Sequence, residues 1–316
     1  MNAFEPLIWT GCVWCIVRAI NTARPQYWLA FGVLVGIGME TKYSIAFFVL
    51  GVIIGLLATP ERRVLKNPWF WIGAVCAFVI FLPNLVWLIQ HDFPFLELID
   101  NVRRSGRDVV RGPLAFVADQ AMILNPVVFP LWLAGLIWLF VGRAGSRYRV
   151  LAWAYLALLV MFILLKGKNY YLAPAYPMLF ASGGVVFEKL SGPTWKRVKV
   201  GYVLAVLLSA MALAPLTSPL FSVETYVRYQ DLVGLELMRA ENQPIGPLPQ
   251  YFADEFGWEE MTREVARITI PVTPLSSWVA TALAIERISR ALKWRAVRSI
   301  LTLVSMNASI SFFAVD

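Results

Sequence analysis

Up to about residue 216, the chain alternates long apolar runs with short polar connections. A membrane-spanning helix needs about 20 consecutive apolar residues, within a range of about 17–25. Eight runs reach or approach this length: 7–20, 27–41, 44–59, 69–90, 121–141, 150–165, 171–188 and 198–216. The first two are short and would have to extend into their flanks or cross obliquely. The pattern predicts an all-α polytopic membrane protein, a bundle of about eight transmembrane helices followed by a small C-terminal segment.

Composition excludes most soluble classes. Hydrophobic residues make up 59% of the 316 residues, charged residues 15%, and the mean hydropathy is +0.65. A soluble domain carries roughly 25% charged residues because its surface faces water. A disordered chain, a disulfide scaffold (there are 3 Cys) and an ordinary cytosolic enzyme are therefore excluded. The net charge of +8 is typical of cytoplasmic loops in so apolar a chain, and we expect membrane lipids as partners rather than nucleic acid.

Basic residues cluster in every second connection between the runs. They are Arg18, Arg24, Arg62, Arg63, Lys66, Arg143, Arg147, Arg149, Lys189, Lys196, Arg197 and Lys199. The positive-inside rule places these connections in the cytoplasm. The remaining connections, and everything after about residue 216, are then expected on the outer face.

The predicted outer face also carries cations, which the same rule disfavours there. They are Lys42, Arg103, Arg104, Arg107, Arg111, Lys166 and Lys168. Positive charge retained on this side indicates a site for an anionic headgroup or a phosphate.

Residues 166–177 join two spans on that face and contain the candidate phosphate ligands. Lys168 supplies a point charge, and Tyr170 and Tyr171 supply hydroxyl donors. Pro174 and Pro177 are expected to break the following helix, which leaves backbone polar groups that must line a cavity or be buried in protein. An interfacial tyrosine belt with snorkelling lysines is an equally good interpretation of the same pattern.

Other polar residues on the predicted outer face are weaker candidates. Glu5 either stabilises the start of a helix or faces the cavity and orients a lysine. Lys42 is either a snorkelling cation or a headgroup ligand. His91, Arg103 and Arg104 lie in or next to a connection long enough to form a lid or an interfacial amphipathic helix; interfacial hydrogen bonding is the default for His91.

The sequence predicts no metal site. Cys12 and Cys15 form a C-x-x-C pair, but inside an apolar run, which favours small apolar helix residues over a redox or metal pair. His91 is the sole histidine, so a His-rich metal cluster is excluded. Phosphate-loop, dinucleotide-binding, zinc-type and nucleophile-elbow motifs are absent from the sequence.

Five short runs, at 1–7, 38–44, 90–95, 167–177 and 248–260, together resemble bacterial glycosyltransferase family 39, the relatives of protein mannosyltransferases and of the lipid A aminoarabinose transferase. The resemblance covers about 1–268. It implies a multi-pass protein of the bacterial inner membrane that takes a sugar from a polyprenyl-phosphate carrier on the periplasmic side. It also implies that Lys168 and Tyr171 lie near the lipid phosphate and that Glu5 faces the cavity. Lys42 matches the family's threonine–lysine corner.

Two departures from the family set further expectations. The family begins with additional spans and an outer loop that carries the acidic residue thought to be the catalytic base. Because this sequence starts where a later span should begin, we expect that base to be missing. The predicted organisation is a transmembrane domain over 1–216, the start of a periplasmic domain over 217–268, and an unmatched basic tail over 269–316, of the kind that a frameshift produces.

The resemblance thus implies a membrane glycosyltransferase fragment that transfers a sugar from a polyprenyl-phosphate donor to an acceptor on the outer side. The donor sugar, the acceptor and any need for a divalent metal stay open. Two alternatives also stay open: a transporter or flippase of an anionic lipid or solute, which would use the same cations in a water-filled path, and an inactive truncated product.

Overall fold

The computed structural model describes residues 4–218, 220–234, 241–242, 246–254 and 256–269. The chain divides into two compact units, one formed by Met1–Asp92 with Val110–Leu220 and the other by Phe93–Val109 with Phe221–Asp316. The helices are α1 Glu5–Thr22, α2 Tyr27–Thr41, α3 Ser44–Leu57, α4 Pro68–Gln90, α5 Pro94–Ser105, α6 Pro113–Met122, α7 Phe129–Val141, α8 Arg149–Leu164, α9 Tyr176–Lys189, α10 Pro193–Thr217, α11 Val223–Val233, α12 Gln250–Ala253 and α13 Trp258–Thr269. Shorter 3-10 turns cover Pro60–Lys66, Pro126–Val128, Gly145–Tyr148 and Asn169–Ala175.

The all-α prediction is confirmed for the described residues, but the expected number of spans is not. Within the described part of the chain, three helices are long and apolar enough to cross a membrane: Pro68–Gln90, Gly145–Leu164 and Pro193–Thr217. The number rises to five if each of two bent pairs is one span. The helix Tyr27–Thr41 is apolar but shorter.

The segment predicted as one continuous span at 121–141 is bent by 95°. Pro126 has no N–H for a helical hydrogen bond, and the Asn125 side chain instead accepts a bond of 2.9 Å from the Val127 N–H. The Asn125 amide then donates to the Ser209 hydroxyl at 2.8 Å, and the Tyr202 hydroxyl donates to the Val127 carbonyl at 2.9 Å. These bonds satisfy backbone and side-chain groups that the break would leave without partners in an apolar environment.

Glycines let pairs of helices in the first unit approach backbone to backbone. A methyl group on Gly32 of α2 would lie 2.0 Å from the Gly73 carbonyl oxygen of α4. On Gly55 of α3 it would lie 2.3 Å from the Val150 carbonyl oxygen. Helix association in a membrane depends on such close packing, because lipid tails remove the hydrophobic driving force. These glycines therefore specify where α2 packs against α4 and where α3 packs against α8.

Three of the four connections predicted to be cytoplasmic, those after α1, α7 and α9, meet at one end of the helices of the first unit. The Tyr148 hydroxyl, between α7 and α8, donates a 2.6 Å hydrogen bond to the Asn21 side chain at the end of α1. The Lys189 ammonium, at the end of α9, lies 5.4 Å from the centre of the Trp138 ring near the end of α7. The 42–44 corner follows the other end of α2, and residues 166–175 follow the other end of α8.

The second unit is held together around Glu241, which is buried. Its carboxylate accepts from the Arg107 Nε at 2.6 Å and from the Gln250 amide at 2.8 Å, and the hydrogen bond to Glu241 raises the pKa of Arg107. The Asn242 amide donates to the Gly106 carbonyl at 3.0 Å. The periplasmic domain over 217–268 stays a prediction, and the tail predicted from 269 lies, beyond Thr269 itself, outside the described residues.

Candidate functional site

A buried ion pair joins the start of α1 to the corner between α2 and α3. The Lys42 ammonium donates to a Glu5 carboxylate oxygen at 2.8 Å, and the Ser44 hydroxyl donates to the other Glu5 oxygen. The Glu5 side chain is 7% exposed and the Lys42 side chain 25% exposed. Because both carboxylate oxygens have donors, Glu5 holds the lysine in place.

The aromatic ring of Tyr171 lies against the same lysine. The Lys42 ammonium is 5.1 Å from the centre of this ring, a distance at which a cation is attracted to the π face. The ring also packs edge-on against Phe162 at 5.7 Å and against Tyr170 at 5.0 Å. Three elements distant in sequence thus contribute Glu5, Lys42 and Tyr171 to one cluster, here called the Lys42 cluster.

The backbone of residues 165–168 redirects the chain from α8 into the turn that carries the tyrosines. Lys166 adopts a left-handed conformation with φ of 54°, and the Gly167 N–H donates to the Phe162 carbonyl at 2.8 Å. This is the geometry of a helix C-cap in which glycine usually takes the left-handed position. Lys168 is half-buried and directly precedes the turn Asn169–Ala175.

The expected helix break at Pro174 is present, while Pro177 is accommodated. Pro174 lies inside the 3-10 turn, and α9 begins only at Tyr176. Pro177 falls in the first turn of α9, where a missing N–H leaves no helical bond unmade. The segment predicted as a span from 171 is therefore a 3-10 turn followed by a shorter helix.

Sequence reasoning missed the residues that hold this turn. The Asp119 carboxylate accepts from the Asn169 amide at 3.0 Å and from the Arg111 Nε at 3.2 Å. The neighbouring Gln120 amide donates to the Asn169 carbonyl at 3.1 Å, and its oxygen accepts from the Tyr176 hydroxyl at 2.8 Å. No local sequence pattern indicates these pairs, because 49 to 56 residues separate the partners in the sequence.

A second polar cluster joins the end of α2 to α4. The Tyr43 hydroxyl donates to the Asn84 side chain at 2.9 Å, and the Asn84 amide lies 3.5 Å from a Glu40 carboxylate oxygen. The other Glu40 oxygen is buried without a hydrogen-bond partner among the described residues. Glu40 is therefore directed to α4, while Lys42, two residues later, is directed to α1.

His91 and Arg104 contact residues of the helices to which they belong. His91 ends α4, where its ring stacks on Trp87 at 4.3 Å and its Nδ1 lies 2.8 Å from the Trp87 carbonyl oxygen. Arg103 and Arg104 are exposed on α5, and Arg104 pairs with Asp100 at 2.6 Å. Their roles as lid or headgroup contacts stay predictions.

The cysteines and the acidic residues show no metal-binding arrangement in the described part of the chain. Cys12 and Cys15 are buried as free thiols in the core of the first unit. No three His, Cys, Asp or Glu side chains are grouped to hold a metal ion within the described residues.

Comparisons with known proteins agree with the resemblance stated from the motifs. Residues 1–87 match the family described as dolichyl-phosphate-mannose-protein mannosyltransferase. Over 128 residues the chain is 33% identical to the lipid A galacturonosyltransferase RgtD of Rhizobium johnstonii (strain DSM 114642 / LMG 32736 / 3841), and this match covers 40% of the chain and 27% of that protein. The chain thus spans about a quarter of the length of this relative. No solved structure matches.

Both matches are to glycosyltransferases. The apolar helices described above are those expected of a membrane enzyme of this type. The family match includes Glu5 and Lys42, two of the three residues of the Lys42 cluster. The comparisons therefore confirm that this chain resembles the membrane glycosyltransferases of family 39, with the family match at residues 1–87.

Proposed function

We propose that the chain is the donor-binding part of a membrane glycosyltransferase that takes its sugar from a polyprenyl-phosphate carrier on the periplasmic side of the bacterial inner membrane. The observation that carries the proposal is the convergence of Glu5, Lys42 and Tyr171 from α1, the 42–44 corner and the 169–175 turn. A lysine fixed by a buried carboxylate presents a cation at a defined position, and Lys168 adds a second cation at the start of the same turn.

The proposed reaction makes use of positive charge at the leaving group. The acceptor oxygen attacks the anomeric carbon, the bond from that carbon to the phosphate oxygen breaks, and the polyprenyl phosphate departs with the bonding electrons. The ammonium groups of Lys42 and Lys168 and the tyrosine hydroxyls would stabilise the negative charge on that oxygen. The proton of the acceptor passes to a general base, which we do not assign to Glu5 because its carboxylate is already ion-paired with Lys42, the cation proposed for the phosphate.

Lys168→Ala is expected to weaken binding of polyprenyl phosphate by about tenfold, which corresponds to the loss of about 1.4 kcal/mol for one charge-assisted contact. The measurement is a titration of the detergent-purified protein with polyprenyl phosphate. Lys166→Ala is the matched control, because Lys166 is exposed and belongs to the cap of α8. Unchanged affinity in Lys168→Ala would remove Lys168 from the site.

Tyr171→Phe and Tyr171→Leu separate the hydroxyl from the ring. The phenylalanine variant keeps the aromatic face against Lys42 and loses only the hydroxyl donor, so we expect a loss of about threefold to tenfold in affinity for polyprenyl phosphate. The leucine variant loses the cation–π contact as well, worth about 0.5–1 kcal/mol, and should bind more weakly still. Equal affinities of the two variants would show that the ring contributes nothing to donor binding.

Transfer activity itself is tested in membranes with a radiolabelled polyprenyl-phosphate sugar. Label that appears in an acceptor fraction, and is lost in the Lys42 and Lys168 variants, supports the enzyme. Movement of intact carrier across the bilayer without cleavage of the sugar–phosphate bond would contradict it and support a lipid transporter.

A further inference from the structure

We infer that Asp119 and Gln120 form a positioning device for the lipid-phosphate site, which acts by clamping the turn Asn169–Ala175 at both ends. The inference rests on the proposed function, since it assigns a role in donor binding. Both residues act on the turn through Asn169 and Tyr176, so we regard both as positioning residues.

The clamp consists of two adjacent residues of one helix. Asp119 and Gln120 are successive residues near the end of α6, and they are 9% and 2% exposed. Asp119 binds the side chain of Asn169, while Gln120 binds the main-chain carbonyl of the same residue. Asn169 is therefore held at two points, at the first position of the turn.

Gln120 also reaches the far end of the turn. Its oxygen accepts from Tyr176, the residue directly after Ala175, and the Tyr176 hydroxyl lies 3.3 Å from the Tyr155 hydroxyl of α8. Tyr155 and Tyr176 are 2% and 0% exposed. Gln120 is thus connected to the core of the first unit, and the turn is fixed relative to α8 as well as α6.

Asp119 is a buried carboxylate with two partners, and it fixes a residue next to the proposed phosphate ligands. A buried carboxylate is costly unless it is paired and hydrogen-bonded, and Asp119 receives both a guanidinium and an amide. The residue that it fixes lies between Lys168 and Tyr170, and two positions before Tyr171. Lys168 and Tyr171 are themselves linked by the bond of 3.1 Å from the Tyr171 N–H to the Lys168 carbonyl. A shift of Asn169 would therefore move both proposed phosphate ligands.

The test compares Asp119→Ala, Asn169→Ala and the double variant in the 316-residue chain. We expect each single variant to weaken binding of polyprenyl phosphate by about tenfold, and the double variant to lose no more than Asp119→Ala alone, because either change removes the same Asp119–Asn169 contact. Asp119→Asn should recover most of the affinity, since its amide oxygen can still accept from Asn169. Ser209→Ala is the matched control, because it breaks a polar contact of similar length, Asn125 to Ser209, that leaves the turn untouched.

A second readout does not depend on the donor. Hydrogen exchange of the amides of residues 169–175 should accelerate in Asp119→Ala and Asn169→Ala, and not in Ser209→Ala. Unchanged exchange there would overturn the clamp. Faster exchange with unchanged affinity for polyprenyl phosphate would overturn its role in donor binding. Failure of the unmodified protein to bind polyprenyl phosphate would instead overturn the proposed function, while the exchange data would still decide whether the clamp exists.

Discussion

Lys42→Met is expected to abolish measurable binding of polyprenyl phosphate and to lower the free energy of unfolding by about 3 kcal/mol. The Glu5 carboxylate is 7% exposed, so removal of its cation leaves a buried charge whose remaining side-chain partner among the described residues is the Ser44 hydroxyl. Breaking a buried pair in this way typically costs about 3–5 kcal/mol, and the lower end applies because Lys42 is 25% exposed. Titration with polyprenyl phosphate and reversible unfolding in detergent measure the two effects.

The double variant Glu5→Gln/Lys42→Met separates stability from binding. With the charge on Glu5 gone as well, no ion is left buried without a partner, and stability should return to near that of the unmodified protein. Binding should not return, because the cation is still missing. If the double variant binds polyprenyl phosphate as the unmodified protein does, Lys42 has no part in the site. If it is as unstable as Lys42→Met, the loss of stability does not come from the Glu5 carboxylate left without its cation.

Gly183→Ala is expected to destabilise the pairing of α7 and α9 by about 1–3 kcal/mol or more, the usual cost of overpacking. The added methyl group would lie 2.1 Å from the Leu131 carbonyl oxygen, and on Gly135 a methyl group would lie 2.2 Å from the Leu179 carbonyl oxygen. Both clashes involve backbone, so no side-chain rotation relieves them and the helices have to separate. The midpoint of thermal unfolding in detergent measures the effect.

Gly184→Ala is the matched control. The next glycine in the same helix has no atom within 4 Å of an added methyl group, and alanine favours helix by about 1 kcal/mol over glycine. We expect this variant to unfold at the same temperature as the unmodified protein or slightly higher. A similar loss in Gly183→Ala and Gly184→Ala would mean that the close approach of α7 and α9 does not limit stability.

Local sequence was sufficient where one property of a short segment decides the structure. The apolar runs gave helices close to their expected bounds, such as 27–41 for Tyr27–Thr41 and 69–90 for Pro68–Gln90, because burial of a continuous apolar surface depends on composition along one segment. The break expected around Pro174 is present for a similarly local reason: a proline cannot donate the helical hydrogen bond. The motifs likewise led to the family resemblance that the comparisons confirm.

The same reasoning failed where two properties competed in one segment. Residues 121–141 are apolar enough for a single span, yet the chain bends at Asn125 and Pro126, because Pro126 has no N–H for a helical bond and the Asn125 side chain accepts the Val127 N–H instead. Hydropathy measures the transfer of side chains from water to the membrane. It does not register the replacement of a backbone hydrogen bond by a side-chain one. The eight spans predicted from the apolar runs are not confirmed: three to five of the described helices are long and apolar enough to cross a membrane, and this bend is one source of the difference.

What the sequence by itself determined is the class of molecule and the residue types of its proposed site: apolar helices, and lysines and tyrosines at 42, 168, 170 and 171. What only the tertiary structure decided is which of them meet. Glu5 and Lys42 are 37 residues apart, and Asp119 and Asn169 are 50 apart. Such pairs form when segments distant in sequence pack together, and packing across distant segments leaves no periodic trace in either of them.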